Sequence, residues 1–430
     1  PDGAYGVMSW WDYGHWITVQ GERIPNANPF QQGATTAANF LLAPNETQSQ
    51  DVLASQSTEG ENTRYVMVDW QMATPGSKFG APTVFYNAEE NVSRQDFLQT
   101  MYRFDDSNDG QFVGTFQLRT QRFYNSTMTR LYYYHGSARQ PSPVVVDWEP
   151  RQVQTNTGDA VTVPANPQGN STFIKTFDNM SAAREYVEND PTSQIGGIGS
   201  FPSDRVEALD HYRLAKVSDT SAGQSILRTT GRDAQVAGVN PQVTVPSSPA
   251  WLKTFERVPG ATVQGSGAPA DTTVTASTEL RIPTTNSTFT YTQQVETNAD
   301  GEFTMTLPYS TTGYDEYGPE NGYTNVSVRA TGPYTLSTPA TFENGTITSY
   351  QANLSVSEGQ VNGDQEGTLS VELEENAQEL NIGGSSESSS SSGDSSGTSE
   401  SGTDSTSGDS TATQSSLSAS TVESDVARAY

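Results

Sequence analysis

Cysteine is absent from these 430 residues, which excludes structural disulfides and thiolate metal sites and leaves the redox compartment open. Lysine is scarce: Lys78, Lys175, Lys216 and Lys253 are the only four, and every other cation is arginine. Positive charge as a whole is short, with 22 Lys and Arg against 50 Asp and Glu, a net charge of −28. That balance argues against nucleic acid as a partner, because a phosphate backbone needs a basic surface. No run approaches the roughly eighteen consecutive apolar residues of a membrane helix. There is neither an initiator Met nor a signal peptide, and the chain passes from Pro1 straight into a dense aromatic cluster. It reads as a fragment whose N-terminal part is missing.

Apolar residues make up only 33% of the chain, and the deficit is uneven: core-forming material is ample before about residue 375 and nearly gone after 384. Few lysines, many carboxylates and plentiful Thr and Ser look like the surface of a salt-loving organism's protein. There, salt screens the self-repulsion of an acidic coat. An acidic surface protein of an ordinary organism is the other reading.

The length suggests two or three domains. Residues 1–245 read as mixed α/β. Ser9 is placed to cap a helix carrying Asp12 in its first turn. TTAANFLL at 35–42 looks helical and Pro44 helps end it; RYVMVDW at 64–70 suits a buried strand. Residues 88–104 and 123–135 carry helical patterns, with Gly136 ending the second. A β-rich insertion spans about 140–177, and DNMSAAREYV at 178–187 is a capped amphipathic helix. From 246 to 380 short Thr/Val/Tyr-rich runs alternate with Gly, Pro, Asn and Asp turns, the pattern of an antiparallel β-sandwich. Asn298–Gly301 has the composition of a hairpin turn. Residues 381–430, a Ser/Thr/Gly tail with scattered acids, cannot bury enough surface to order themselves.

One pentapeptide stands out: Trp10-Trp11-Asp12-Tyr13-Gly14, continuing His15-Trp16-Ile17. Chance yields it in well under about one such chain in ten thousand. One reading is a buried aromatic cluster with an acid in a helix turn. The other is a binding site for an alcohol. A Ser or Thr hydroxyl both donates and accepts; the Asp12 carboxylate only accepts and the indole N–H of Trp10 or Trp11 only donates. Together they satisfy one hydroxyl in a dry aromatic wall, and a residue lacking it leaves both unpaired.

WWDYGHWI, NPFQQGATTAANFLLAPN, RYVMVDWQMATPGSKFGAPTVFY and MTRLYYYHGS resemble the catalytic subunit of oligosaccharyltransferase in its haloarchaeal form. The resemblance covers residues 1 to about 245. It implies transfer of a glycan from a dolichol-linked oligosaccharide to Asn in an acceptor polypeptide bearing Asn-x-Ser/Thr. It also implies that this portion lies on the extracellular face of the cell membrane, attached through the missing N-terminal region. Trp10, Trp11 and Asp12 then bind the acceptor hydroxyl, with Tyr13 and Gly14 shaping the site. A second family element, an Asp with a downstream Lys near the acceptor pocket, matches Asp69 and Lys78 at a longer spacing than usual. The other reading of these two is a strand-end acid and an ordinary surface Lys. The family's divalent metal, Mg or Mn, and its catalytic carboxylates belong to the missing region, so neither a catalytic residue nor a metal ligand is assigned here and the fragment alone is expected to be inactive.

The remaining signals are weaker. Asp105–Gly110 opens like a calcium loop, but position twelve is Phe116 where Glu is wanted, so an acidic turn is the better reading. His15, His135 and His211 are too scattered for a metal site. Asn-x-Ser/Thr triplets at Asn286, Asn325, Asn344 and Asn353 fit an exterior surface that can itself be glycosylated. A non-enzymatic cell-surface glycoprotein of a halophile accounts for residues 246–430 equally well, and leaves residues 10–17 as coincidence.

Overall fold

Gly6, Val7 and Met8 are all buried and form a short strand whose neighbours set the architecture of the N-terminal half. The structure, a computed structural model, describes residues 5–56, 62–169 and 172–379. Gly6–Met8 lies parallel to Thr63–Asp69 on one side, with Met8 opposite Val66, and parallel to Ile24–Pro25 on the other. Leu252–Arg257 runs antiparallel to Thr63–Asp69, and Tyr212–Val217 closes the five-stranded sheet antiparallel to it. Val66, Val68, Leu214 and Phe255 fill the sheet's interior. The helices Ala34–Leu41 and Thr127–Tyr134 join the same core, the second buried along its whole length.

Further mixed structure follows. Leu98–Asp105 and Gln111–Arg119 form a hairpin that extends through Ala160–Ala165 and Glu149–Gln154 into a four-stranded sheet. Val144–Asp147 pairs with Ser193–Ile195 and Ile174–Thr176. The helix Met180–Asn189 starts at Asn179, whose side chain accepts the Ala182 N–H at 2.9 Å.

Beyond Pro259 the chain is strand upon strand. Seven strands form an antiparallel sheet and three more a second sheet, and Val263, Met305, Leu307, Leu280, Tyr291 and Tyr334 from the two are buried in one core cluster. The mixed α/β core followed by a β-rich unit is the fold class that the patterning implies. Residues 381–430, read from composition as disordered, lie outside the described residues.

Three local expectations fail, each for a physical reason. Residues 88–104 are not helical: a 3-10 turn at Arg94–Asp96 leads into the strand Leu98–Asp105. Leu98, Met101 and Phe104 are its buried residues. Their three-residue spacing imitates a helix, while the strand is irregular at Arg103/Phe104. Ser9 caps nothing; its hydroxyl donates to the Trp10 carbonyl at 3.1 Å, and Trp10 itself occupies the cap position. Asn298–Gly301 does turn, yet it joins no hairpin, because Ser287–Glu296 and Phe303–Leu307 enter different sheets.

Candidate functional site

Parallel strands deliver their carboxyl ends to the same edge of a sheet, where loops are free to build a site. Here Gly6–Met8 and Thr63–Asp69 are such neighbours. The first runs into Trp10–Gly14 and the second ends on Asp69, so pairing of Val7 with Tyr65 places two distant sequence motifs side by side.

Trp11–Tyr13 forms one 3-10 turn and Gly14–Val19 a short helix. Gly14 is required by space: a Cβ there would sit 2.3 Å from the Ala27 carbonyl oxygen. The Trp10 indole is 3% exposed, edge-on to Phe85 at 5.8 Å and tilted against Trp11 at 6.1 Å. Trp11, Asp12 and Tyr13 are only partly buried. The site thus has a packed aromatic floor and an accessible upper layer.

Asp69 and Lys78 join this turn. Lys78 Nζ lies 2.6 Å from Asp12 Oδ2. The Tyr13 phenol donates to Asp69 Oδ2, and Asp69 Oδ1 accepts the Met72 N–H at 2.8 Å, capping the four-residue helix Trp70–Ala73. The backbone N–H of Lys78 donates to the Gln71 carbonyl at 3.0 Å, so the Pro75–Gly76 bend folds Lys78 back over the helix. Burial pushes the Asp69 carboxyl up from its ordinary range, against the opposing pull of Tyr13, Met72 and Lys78. Burial also raises Tyr13, helped by the negative charge of Asp69.

Three buried polar atoms around this assembly have no hydrogen-bond partner: Trp11 Nε1, Asp12 Oδ1 and Trp70 Nε1. Buried polar groups are paired in the great majority of cases, so each exception calls for a reason. Exposed apolar side chains elsewhere in the N-terminal region include Trp16 at 57%, Phe30 at 88% and Val84 at 81%. Trp70, Phe30 and Val84 lie within the quoted stretches, but residue type alone gave none of them a role; an apolar residue flanking a loop carries no signal until its exposure is known.

The residues do not suit a metal. No group of three or more His, Cys, Asp or Glu able to hold a metal ion occurs among the described residues. Asp12 is engaged by Lys78, and Asp69 by Tyr13 and Met72. Asp105–Gly110 is an ordinary turn: Asp105 accepts from Ser107, and Asp106 pairs with Arg151 at 2.9 Å. The histidines stay apart: His15 is exposed, His135 meets Lys253 at 2.8 Å, and His211 turns Nδ1 to backbone carbonyls.

Comparison with known proteins finds similar chains. Residues 1–73 match the AglB core domain family and residues 260–366 the archaeal glycosylation protein B long peripheral domain. The dolichyl-monophosphooligosaccharide–protein glycotransferase AglB of Haloferax volcanii is 60% identical over 395 residues, 90% of this chain and 37% of that protein. Glycotransferase 3 of Archaeoglobus fulgidus is 25% identical over 72% of this chain and 33% of its own length. A crystal structure of an Archaeoglobus fulgidus oligosaccharyltransferase tethered to an acceptor peptide containing the NVT sequon shares the fold. Its TM-score is 0.50 at 21% identity, covering 87% of this chain and 39% of that one. Over the 37% of the Haloferax protein that it spans, the chain is a close homologue of the AglB oligosaccharyltransferase, with matches to its core and long peripheral domains.

Proposed function

We propose that this chain is the acceptor-recognising part of a dolichyl-phosphate-linked oligosaccharide–protein glycotransferase, reading Asn-x-Ser/Thr for N-linked glycosylation. The observation that carries this is the orphaned pair, Trp11 Nε1 and Asp12 Oδ1, one a donor and the other an acceptor. A Ser or Thr hydroxyl supplies both complements from a single oxygen. It donates to Asp12 Oδ1 and accepts from the Trp11 indole. Lys78 meanwhile holds Oδ2 and balances the carboxylate charge. An acceptor without the hydroxyl leaves both buried atoms unpaired, and sites of that kind discriminate by up to about 10⁴–10⁵.

The role of this stretch is selection. The carboxylates and divalent metal, Mg or Mn, that would polarise the acceptor amide and steady the leaving diphosphate have no candidate set among the described residues. We place them outside this chain, which is then inactive by itself. The partners are the acceptor polypeptide, the dolichol-linked oligosaccharide and, through a region not included here, the membrane, with this portion on its extracellular face. No helix among the described residues is long and apolar enough to cross a membrane. In the proposed division, residues 1–245 read the acceptor, 246–380 form the β-rich domain and 381–430 the tail; Leu252–Arg257 is the join, reaching back into the core sheet. A purely structural surface glycoprotein has no use for the orphaned pair.

The test replaces Asp12 with Ala in the full-length enzyme and follows glycosylation of an Asn-x-Thr peptide. A fall of about 100-fold or more is expected. Undiminished transfer removes the role given to Asp12.

A further inference from the structure

We infer that Tyr13 is a positioning residue: its hydrogen bond to Asp69 closes a ring of contacts that holds Lys78 on Asp12 and keeps one Asp12 oxygen free for the acceptor hydroxyl. The last clause rests on the function proposed above; the ring itself does not.

The ring is traced atom by atom. Tyr13 donates its phenol proton to Asp69 Oδ2. Asp69 Oδ1 caps Trp70–Ala73 through the Met72 N–H at 2.8 Å. A helix of four residues does not stand unaided, because nucleation costs more than its few bonds return. This one relies on that cap and on the Thr74 hydroxyl, which donates to the Trp70 carbonyl at 2.6 Å. Its Gln71 carbonyl accepts the Lys78 N–H at 3.0 Å and fixes where the lysine stem begins. Lys78 Nζ then reaches Asp12 Oδ2 at 2.6 Å, and Asp12 is joined to Tyr13 by one peptide bond.

Asp69 is the vulnerable member. It is 1% exposed, so its carboxylate depends on the two donors that reach it. A buried acceptor that loses its donor pays the full desolvation cost and turns away or takes up a proton. Either change loosens the cap, and with it the anchor of Lys78. A lysine freed at its base has four rotatable bonds, and with its side chain already 41% exposed the ammonium prefers water. Asp12 then loses the contact that assigns Oδ2 to Lys78 and Oδ1 to the acceptor. Tyr13 accordingly acts on the acceptor through Asp69 and Lys78, without touching it.

The scarcity of lysine supplies the readout. Side-chain ¹⁵N spectra of lysine-labelled protein contain only four ammonium sites, Lys78, Lys175, Lys216 and Lys253. In Tyr13→Phe, the Lys78 signal is expected to acquire the fast proton exchange and mobility of the exposed Lys216, while buried Lys253 is unchanged. Asp69→Asn, which preserves the cap and a polar partner for Tyr13, is expected to keep Lys78 held. In the full-length enzyme, Tyr13→Phe should raise the KM for an Asn-x-Thr peptide about tenfold with kcat nearly unchanged. Lys78 remaining pinned in Tyr13→Phe overturns the inference whatever the kinetics show, as does Lys78 released equally in Asp69→Asn. Lys78 released with an unchanged KM upholds the ring and overturns the acceptor reading of Asp12.

Discussion

Two charged networks in this chain are built to opposite ends. At the join of core and β-rich unit, Arg213 donates to Glu256 Oε2 at 2.7 and 3.0 Å and to Glu358 Oε2 at 2.7 Å. Glu358 also accepts from Ser310 and Asn362, and Arg64 reaches the other oxygen of Glu256 at 3.1 Å. Arg213, Glu256 and Glu358 are each about 2% exposed. At the other end of the strand Thr63–Asp69, the Asp12–Lys78 pair is partly open to solvent and leaves Asp12 Oδ1 and Trp11 Nε1 unpaired. In the first network each oxygen of Glu256 and Glu358 accepts a hydrogen bond, and although Arg64, Glu256 and Asn362 also line a cavity of about 830 Å³, no buried atom of the three charged groups is left without a partner; it is a clamp. The second is held in shape but left incomplete, as the proposed receptor role requires.

That contrast is broken most forcefully at Arg213. Arg213→Met takes the cation from buried Glu358 and leaves Glu256 with Arg64 alone, and chemical denaturation at constant salt should show a loss of about 3–5 kcal/mol. A loss within error of zero would mean the clamp holds nothing. Asp210 sharpens the same point with pH. Burial and the neighbouring Glu46 lift its carboxyl from 3.8 to about 7. With the folded value above the unfolded one, the associated stability is whole below about pH 4 and drains away as pH rises through 7. Asp210→Asn removes the charge, so it should match the parent near pH 4 and exceed it by about 2 kcal/mol at pH 8. A gain at pH 4 instead would reverse the assigned sign.

Lys78→Met gives the smallest stability change, below about 1 kcal/mol, because an exposed pair is weakly stabilising. Its cost should fall on acceptor affinity in a peptide-binding assay. A melting loss comparable to that of Arg213→Met would erase the distinction between clamp and receptor.

Much of this was legible in the sequence, and what was not has one cause. Trp10, Trp11 and Asp12 announce their chemistry by residue type: a donor-only ring beside an acceptor-only group. The alternation of Thr and Val after residue 260 likewise announces strands with one buried face. What stayed hidden is partnership. Lys78 meets Asp12, and Tyr13 meets Asp69, only because Gly6–Met8 pairs in parallel with Thr63–Asp69 across more than fifty residues of chain. LKTFER at 252–257 falls in the stretch that the patterning gives to the β-rich unit, yet it pairs with Thr63–Asp69, Lys253 opposite Val68 and Phe255 opposite Val66. Leu98, Met101 and Phe104 misled for the converse reason: a local spacing of three suggested a helix, and pairing with Gln111–Arg119 prevailed.

The most direct measurement compares two acceptor peptides in the full-length enzyme, identical but for Thr or 2-aminobutyrate two residues after the Asn. They differ only by a hydroxyl in place of a hydrogen on the same carbon, so the ratio of their kcat/KM values isolates the grip proposed for Trp11 Nε1 and Asp12 Oδ1. A preference of about 100-fold or more for Thr, collapsing to within a few fold in Asp12→Ala, is expected. A preference that survives the substitution intact would contradict it and send the hydroxyl elsewhere in the protein.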